Sequence, residues 1–233
     1  VEPAPRRALH PRHHLSRRRL KPVAILALFD GPRTIADGAV WLPGFALAQE
    51  CDLLTAVGQV VAAAPFRHLE TPGGLRMSVA MTNAGECGWV SDRRGYRYES
   101  RDPLTGAPWP AMPRLFRDLA RTAAAEAGFA DFEPDACLIN RYLPAAKLSL
   151  HQDRDERDFA APIVSVSLGL PATFQFGGLK RGDPAQRLPL VHGDVVVWGG
   201  PSRLRFHGVL ALKAGDHPLL GGQRINLTFR RAR

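Results

Sequence analysis

What this sequence lacks narrows its possibilities. It has three cysteines, Cys51, Cys87 and Cys137, widely spaced and with no CxxC pair. That excludes a disulfide framework and argues against a structural zinc site. An odd, scattered set fits a reducing compartment, and a cytoplasmic location is expected. No apolar run approaches the ~18 residues that a membrane-crossing helix needs, so no membrane partner is expected. Residues 1–22 carry no apolar stretch of the signal-peptide kind, which argues against secretion. There is no internal repeat. Charged residues at 23% and hydrophobic residues at 45% rule out wholesale disorder.

Turn formers and positive charge are abundant. Gly 22 and Pro 20 in 233 residues favour a β-rich fold over a helix bundle. The net charge of +9 suggests a polyanionic partner, nucleic acid first. Its distribution weakens that argument. Residues 1–22 hold seven Lys/Arg against Glu2 alone, a balance of +6, so the remainder carries only +3. The segment 1–22 reads as a basic disordered tail, and 23–233 as a single domain.

Helical spacing of Leu47, Cys51, Leu54, Val57 and Val61 predicts a helix over 46–64, ended by Pro65. A second, amphipathic helix is predicted over 113–128, with Pro at its start and Gly128 behind it. Residues 38–45 read as a strand and turn, 75–82 as a strand, and 83–110 as a loop-rich surface bearing Trp89, Tyr96, Tyr98 and Trp109. From 135 onward, short apolar runs recur between turn signals, as in a β-sandwich or barrel.

Two patterns there carry chemistry. His151-Gln152-Asp153 places an imidazole and a carboxylate two residues apart, hence on one side of an extended segment. With His207 they would complete the two-His, one-carboxylate triad of non-haem Fe(II) oxygenases, which leaves positions open for co-substrate and O₂. A second HxD, His192-Gly193-Asp194, reads instead as a turn whose side chains satisfy backbone groups. Strict alternation over 224–230 puts Arg224, Asn226, Thr228 and Arg230 on one face, and Ile225, Leu227 and Phe229 on the other. That polar face either meets solvent or turns inward onto an anion, since buried arginines need one. Beside an iron triad, the inward choice favours 2-oxoglutarate, whose far carboxylate needs a cation. Asn140 and Tyr142 share a strand face and are candidates for the same pocket.

The runs INRYLPAAKLSLHQDRDE, PIVSVSLGLPATFQFGGLKRGDP, HGDVVVWGGPSRLRFHGV and NLTFR, with PGGLRMSVAMTNAG and PWPAMPRLF upstream, are similar to the AlkB family of Fe(II)/2-oxoglutarate-dependent dioxygenases. The likeness spans about residues 37–231 and leaves out the tail. It implies an α+β, β-rich fold. Its core would be a double-stranded β-helix (jelly-roll) over about 135–231, with N-terminal helices and a nucleotide-recognition lid over about 71–98. It implies that His151, Asp153 and His207 bind Fe(II) and are the catalytic set. Asn140, Tyr142, Arg224, Asn226, Thr228 and Arg230 would then bind 2-oxoglutarate. Arg224 and Tyr142 would take the far carboxylate; Arg230 and Asn226 would order the near end. It implies that Trp89 stacks on the damaged base opposite His151. Tyr96 and Arg181 would meet the nucleic-acid backbone, Met81 would belong to the lid, and Asp155 and Glu156 would lie near the base's exocyclic amine. Leu75 and Arg76 depart from the family's lid pattern. The implied activity is oxidative dealkylation of 1-methyladenine- and 3-methylcytosine-type bases, with release of formaldehyde, succinate and CO₂. The expected partner of this monomer is alkylated single- or double-stranded DNA, with RNA as a further substrate. The competing reading is a 2-oxoglutarate-dependent hydroxylase or demethylase of a protein or small metabolite, with the same iron and co-substrate residues.

Overall fold

Two apolar patterns build this chain, one of helical period and one of period two, and they meet on one sheet. The computed structural model describes residues 31–233; the basic segment 1–22 lies outside the described residues. The helices are α1 (Glu50–Ala63), entered through a 3-10 turn at Leu47–Gln49, and α2 (Arg114–Glu126). Each starts or stops where proline or glycine requires. Pro113 occupies the N-cap of α2, and Gly128 behind it adopts a left-handed φ of +90°. Their buried faces, including Leu53, Val57, Val60, Phe116, Leu119 and Ala123, share one core with Val164, Val166, Val195, Val197, Leu227 and Phe229 of the sheet.

The strands in chain order are β1 (Arg33–Ala36), β2 (Ala39–Leu42), β3 (Arg67–Glu70), β4 (Arg76–Gly85), β5 (Gly88–Asp92), β6 (Gly95–Glu99) and β7 (Ala136–Tyr142). They continue with β8 (Leu148–His151), β9 (Ile163–Gly169), β10 (Ala172–Phe176), β11 (Gln186–Leu190), β12 (Val195–Trp198), β13 (His207–Val209) and β14 (Arg224–Arg230). A larger sheet runs β1-β2-β12-β9-β14-β7-β4-β3, and a smaller one β11-β10-β13-β8. A second core lies between them, joining Val79, Leu138, Ile163 and Trp198 of the larger sheet to Phe174, Phe176, Leu188 and Leu190 of the smaller. This is the double-stranded β-helix that the sequence implies. Strands β7–β14 fall within 135–231, and β1–β4 extend the larger sheet at both edges.

The region 83–110 differs from its reading as loop. β4 continues to Gly85, and β5 and β6 pair as an antiparallel hairpin with Trp89 opposite Tyr98 and Ser91 opposite Tyr96. Its glycines are turn and close-packing positions within paired strands. Gly95 has a φ of +116° at the hairpin turn, and a Cβ at Gly88 would lie 2.5 Å from the Trp109 ring. Strands β1 and β3 also escape the sequence reading.

Register decides what the cavity between the sheets contains. β14 pairs with β7 so that Arg224 faces Tyr142 and Asn226 faces Asn140. β13 pairs with β8 so that His207 lies directly opposite His151. Gly208 permits that approach, since a Cβ there would sit 2.7 Å from the Leu148 carbonyl oxygen. The apolar face of β14 anchors the whole arrangement to the helices. Phe229 is fully buried and packs edge-on against Phe116 with ring centroids 6.0 Å apart. Phe229→Ala is expected to cost about 3–5 kcal/mol through lost contacts and the cavity left behind, read from chemical denaturation.

Candidate active site

The larger and smaller sheets enclose a cavity of about 880 Å³. His151, Asp153 and His207 converge on it, with ligand atoms all within 4.8 Å of one another. Asp153 Oδ1 lies 3.5 Å from His151 Nε2, and Asp153 Oδ2 lies 3.7 Å from His207 Nε2. Each imidazole is oriented from behind. His151 Nδ1 is 2.9 Å from the Ser149 carbonyl oxygen, and His207 Nδ1 is 3.0 Å from that of Arg205. Nδ1–H donation to those carbonyls leaves both Nε2 lone pairs aimed at the carboxylate, an arrangement that a cation resolves. Burial, reinforced by the neighbouring His151, pushes the His207 pKa down to about 3, which keeps it neutral. Burial opposes the ionisation of Asp153, but the Arg230 charge and then His207 hold its carboxyl well below the usual carboxylate range. The donor set is that of a hard-to-borderline divalent metal with open positions.

Asp153 lies beyond the end of β8, so strand geometry alone does not position it. Arg230 donates Nε–H and Nη2–H to its Oδ2 at 2.9 and 2.7 Å. Arg203 donates Nη1–H to its main-chain carbonyl at 3.0 Å. Glu156 lies between the two guanidiniums, 3.1 Å from Arg203 Nη2 and 3.3 Å from Arg230 Nε. It also accepts from the Tyr98 hydroxyl at 2.7 Å. Burial raises the Tyr98 pKa well above its ordinary value, so the hydroxyl remains a donor. Two acids against two bases make the burial of these four charges tolerable.

Beyond the triad, Tyr142, Arg224, Asn140, Asn226, Thr228 and Arg230 all border the cavity. All seven residues of β14 are buried, so its polar face turns inward and not to solvent. Arg224 is 2% exposed. It donates Nη2–H to Ser167 Oγ at 3.0 Å and stands over the Tyr142 ring at 5.0 Å. Its Nε and Nη1 are buried without a partner, as is Asn140 Oδ1. Burial lowers the Arg224 pKa. A desolvated guanidinium with two unmade hydrogen bonds marks a place for an anion. Asn226 is more self-contained. Its amide donates to Ser165 Oγ at 2.8 Å and Val166 O at 2.9 Å, and its oxygen accepts from Thr228 at 2.9 Å.

At the cavity mouth Trp89, Tyr96, Asp155 and Arg181 come together, with Met81 on the wall where β4 runs beside Asn140. Trp89 and Tyr96 stack at 5.5 Å and 14°. The Trp89 indole donates to Asp155 Oδ2 at 2.7 Å. Arg181 lies over Phe206 and donates to the Leu150 carbonyl at 2.7 Å. Glu156 corrects the sequence expectation. It is 5% exposed, does not border the cavity, and has its carboxylate engaged by Arg203, Arg230 and Tyr98 instead of facing a base.

The second HxD is structural, as read. Asp194 accepts from the Gly44 and Val191 amides at 2.8 and 2.9 Å, while His192 bridges the Gly169 amide and Glu50, each at 2.8 Å. Sequence reasoning missed Arg203, Ser165, Ser167 and Asn83. The last brackets the Trp89 backbone with two hydrogen bonds of 3.0 Å. The serines had a signal, two polar residues at alternate positions of the otherwise apolar strand IVSVSLG. Arg203 and Asn83 had none, because their partners lie in other elements.

Residues 38–230 match the 2OG-Fe(II) oxygenase superfamily. The chain is 62% identical over 198 residues to the alpha-ketoglutarate-dependent dioxygenase AlkB of Salmonella typhimurium, covering 85% of this chain and 92% of that one. It is 32% identical over 121 residues to the human nucleic acid dioxygenase ALKBH1, covering 52% of this chain and 31% of that one. The solved structure of OsALKBH1 superposes with a TM-score of 0.75 at 30% identity, covering 86% of this chain and 99% of that one.

The two HxD sequences give opposite expectations. His207→Ala should abolish stoichiometric Mn(II) binding by equilibrium dialysis. His192→Ala should keep it, while losing about 1–3 kcal/mol of stability from the unpartnered Gly169 amide.

Proposed function

The chain belongs to the AlkB family within the 2OG-Fe(II) oxygenase superfamily, and we propose that it removes N-alkyl groups from nucleobases by oxidation. It is a dioxygenase that uses Fe(II), 2-oxoglutarate and O₂. One observation carries the substrate reading. A single cavity has the His–Asp–His cluster in its wall, a buried guanidinium with two unpartnered nitrogens at one end, and an aromatic, acidic mouth at the other.

The residues fit both groups. His151, Asp153 and His207 would hold Fe(II), with each imidazole Nδ1 held within hydrogen-bonding distance of a main-chain carbonyl oxygen behind it. Arg224, with its two free donors, and Tyr142 would take the far carboxylate of 2-oxoglutarate. Arg230, Asn140 and Asn226 would border its near end, with Thr228 fixing the Asn226 amide. Bound there, these groups with O₂ supply the oxidation that hydroxylates an N-alkyl carbon, after which the hemiaminal collapses to formaldehyde and the restored base.

The protein's own work is positioning. A base must leave its stack to reach the cavity, and alkylation at the pairing edge lowers the cost of doing so. Trp89 and His151 would flank the base and recover about 1–3 kcal/mol of stacking. Asp155 would exchange the Trp89 indole for the base's exocyclic amine, and its charge favours a cationic 1-methyladenine or 3-methylcytosine over a neutral base. Tyr96 and Arg181, both exposed at the mouth, would meet the phosphate backbone, and Met81 would line the pocket wall. A flipped base from single- or double-stranded DNA would present the same edge to the cavity, and RNA offers that edge too. The action proposed is that of a monomer. The three unpaired cysteines support a cytoplasmic setting.

The test is a panel of oligonucleotides carrying 1-methyladenine, 3-methylcytosine or etheno adducts, incubated with Fe(II) and 2-oxoglutarate and read by mass spectrometry. The expected outcome is adduct loss matched by succinate, abolished in Asp153→Ala. Succinate release without adduct loss would point to the protein or metabolite substrate. Arg224→Met should raise the 2-oxoglutarate concentration for half-maximal rate about 100-fold, or roughly 3 kcal/mol for a lost charge-assisted contact.

A further inference from the structure

We infer that Glu156 is a positioning residue for the iron site, sharing the Arg230 guanidinium with Asp153, and that the Tyr98 hydroxyl ties the mouth hairpin to it. The inference rests on the iron-site reading above and goes beyond it by assigning a role to an acid outside the cavity. Asp153 is off the strand, so two guanidiniums fix it, Arg230 on its carboxylate and Arg203 on its carbonyl. Both guanidiniums meet Glu156, at 3.3 and 3.1 Å. No other acid besides Asp153 is ion-paired with either guanidinium among the described residues.

The charge balance explains what Glu156 does to the metal ligand. Arg230 Nε is shared between Asp153 Oδ2 at 2.9 Å and Glu156 Oε1 at 3.3 Å. Glu156 thus draws part of the guanidinium's field away from Asp153. Without that carboxylate, two buried cations face one acid, and Asp153 is neutralised more fully by Arg230. A carboxylate neutralised by arginine is a weaker ligand for a divalent cation. Tyr98 fixes the Glu156 rotamer through a 2.7 Å hydrogen bond to the oxygen that faces Arg230. Tyr98 lies across the hairpin from Trp89, so the aromatic platform at the mouth and the iron ligand share one hydrogen-bonded chain.

The test measures Mn(II) affinity by electron paramagnetic resonance on the full chain, without nucleic acid or 2-oxoglutarate, for wild type, Glu156→Gln and Tyr98→Phe. A parallel arm measures binding of a 1-methyladenine oligonucleotide by fluorescence anisotropy without metal. Glu156→Gln is expected to weaken Mn(II) binding about 10-fold, the lower end for an outer-shell change, with oligonucleotide affinity unchanged. Tyr98→Phe should weaken Mn(II) binding in the same direction and by less. Wild-type Mn(II) affinity in Glu156→Gln would overturn the inference, and so would weakened oligonucleotide binding with intact metal affinity, the signature of a base contact. If Glu156→Gln does not fold, Tyr98→Phe decides, and unchanged Mn(II) affinity there overturns the inference. Because the metal arm needs no substrate, failure of wild type to remove an adduct would sink the functional reading and leave this result standing.

Discussion

The guanidinium of Arg230, 6% exposed, forks onto one oxygen of Asp153 at 2.9 and 2.7 Å. An isolated buried pair of this kind has a desolvation cost that its attraction can fail to offset. Here the pair belongs to a balanced cluster with Arg203 and Glu156, and its members come from distant parts of the chain. Arg230 ends β14, the acids lie in the segment after β8, Arg203 lies in the turn before β13, and Tyr98 sits on the mouth hairpin. Meeting the needs of one buried carboxylate therefore fixes the relative placement of both sheets and the hairpin. It also leaves the other oxygen of Asp153, with two imidazole lone pairs, directed at one point.

From that point the cavity divides by electrostatics. Its inner end has a desolvated cation with unmade hydrogen bonds, suited to a small dicarboxylate. Its mouth has stacked aromatic rings and an exposed acid, suited to a flat cationic ring. β14 serves both sides of this plan. Its odd-numbered residues join the helical core, and its even-numbered residues line the cavity, so the strand that anchors the fold also walls the proposed co-substrate site.

Much of this was legible in the sequence, and the reason is periodicity. Alternation over 224–230 separated the two faces of β14 correctly, although only the structure showed the polar one to be buried. The helices were bounded within a few residues by Pro65, Pro113 and Gly128. The spacing of His151 and Asp153 marked the pair, but Asp153 lies past the end of β8 and is placed by Arg230 and Arg203. The partnership of His207 with His151 across 56 positions is a matter of strand register, which composition does not encode. The hairpin at 88–99 was hidden because its glycines and charged residues read as turn signals. Glu156 was misplaced because it sits three residues past an iron ligand, and only the placement of Arg203, Arg230 and Tyr98 shows which way it faces. The net charge of +9 proved a poor guide, since most of it belongs to residues 1–22, outside the described residues, and two further arginines, Arg224 and Arg230, lie buried at the inner part of the cavity.

The central claim is that one preformed cavity orders iron, dicarboxylate and base along a single line of residues. The most direct measurement is a crystal structure of the full chain loaded anaerobically with Fe(II), 2-oxoglutarate and a 1-methyladenine oligonucleotide, with the metal located by anomalous scattering. The account predicts one iron peak among His151, Asp153 and His207, the far carboxylate on Arg224, and the base between Trp89 and His151. An iron peak away from those three residues, or a dicarboxylate that leaves Arg224 unpartnered, would contradict it.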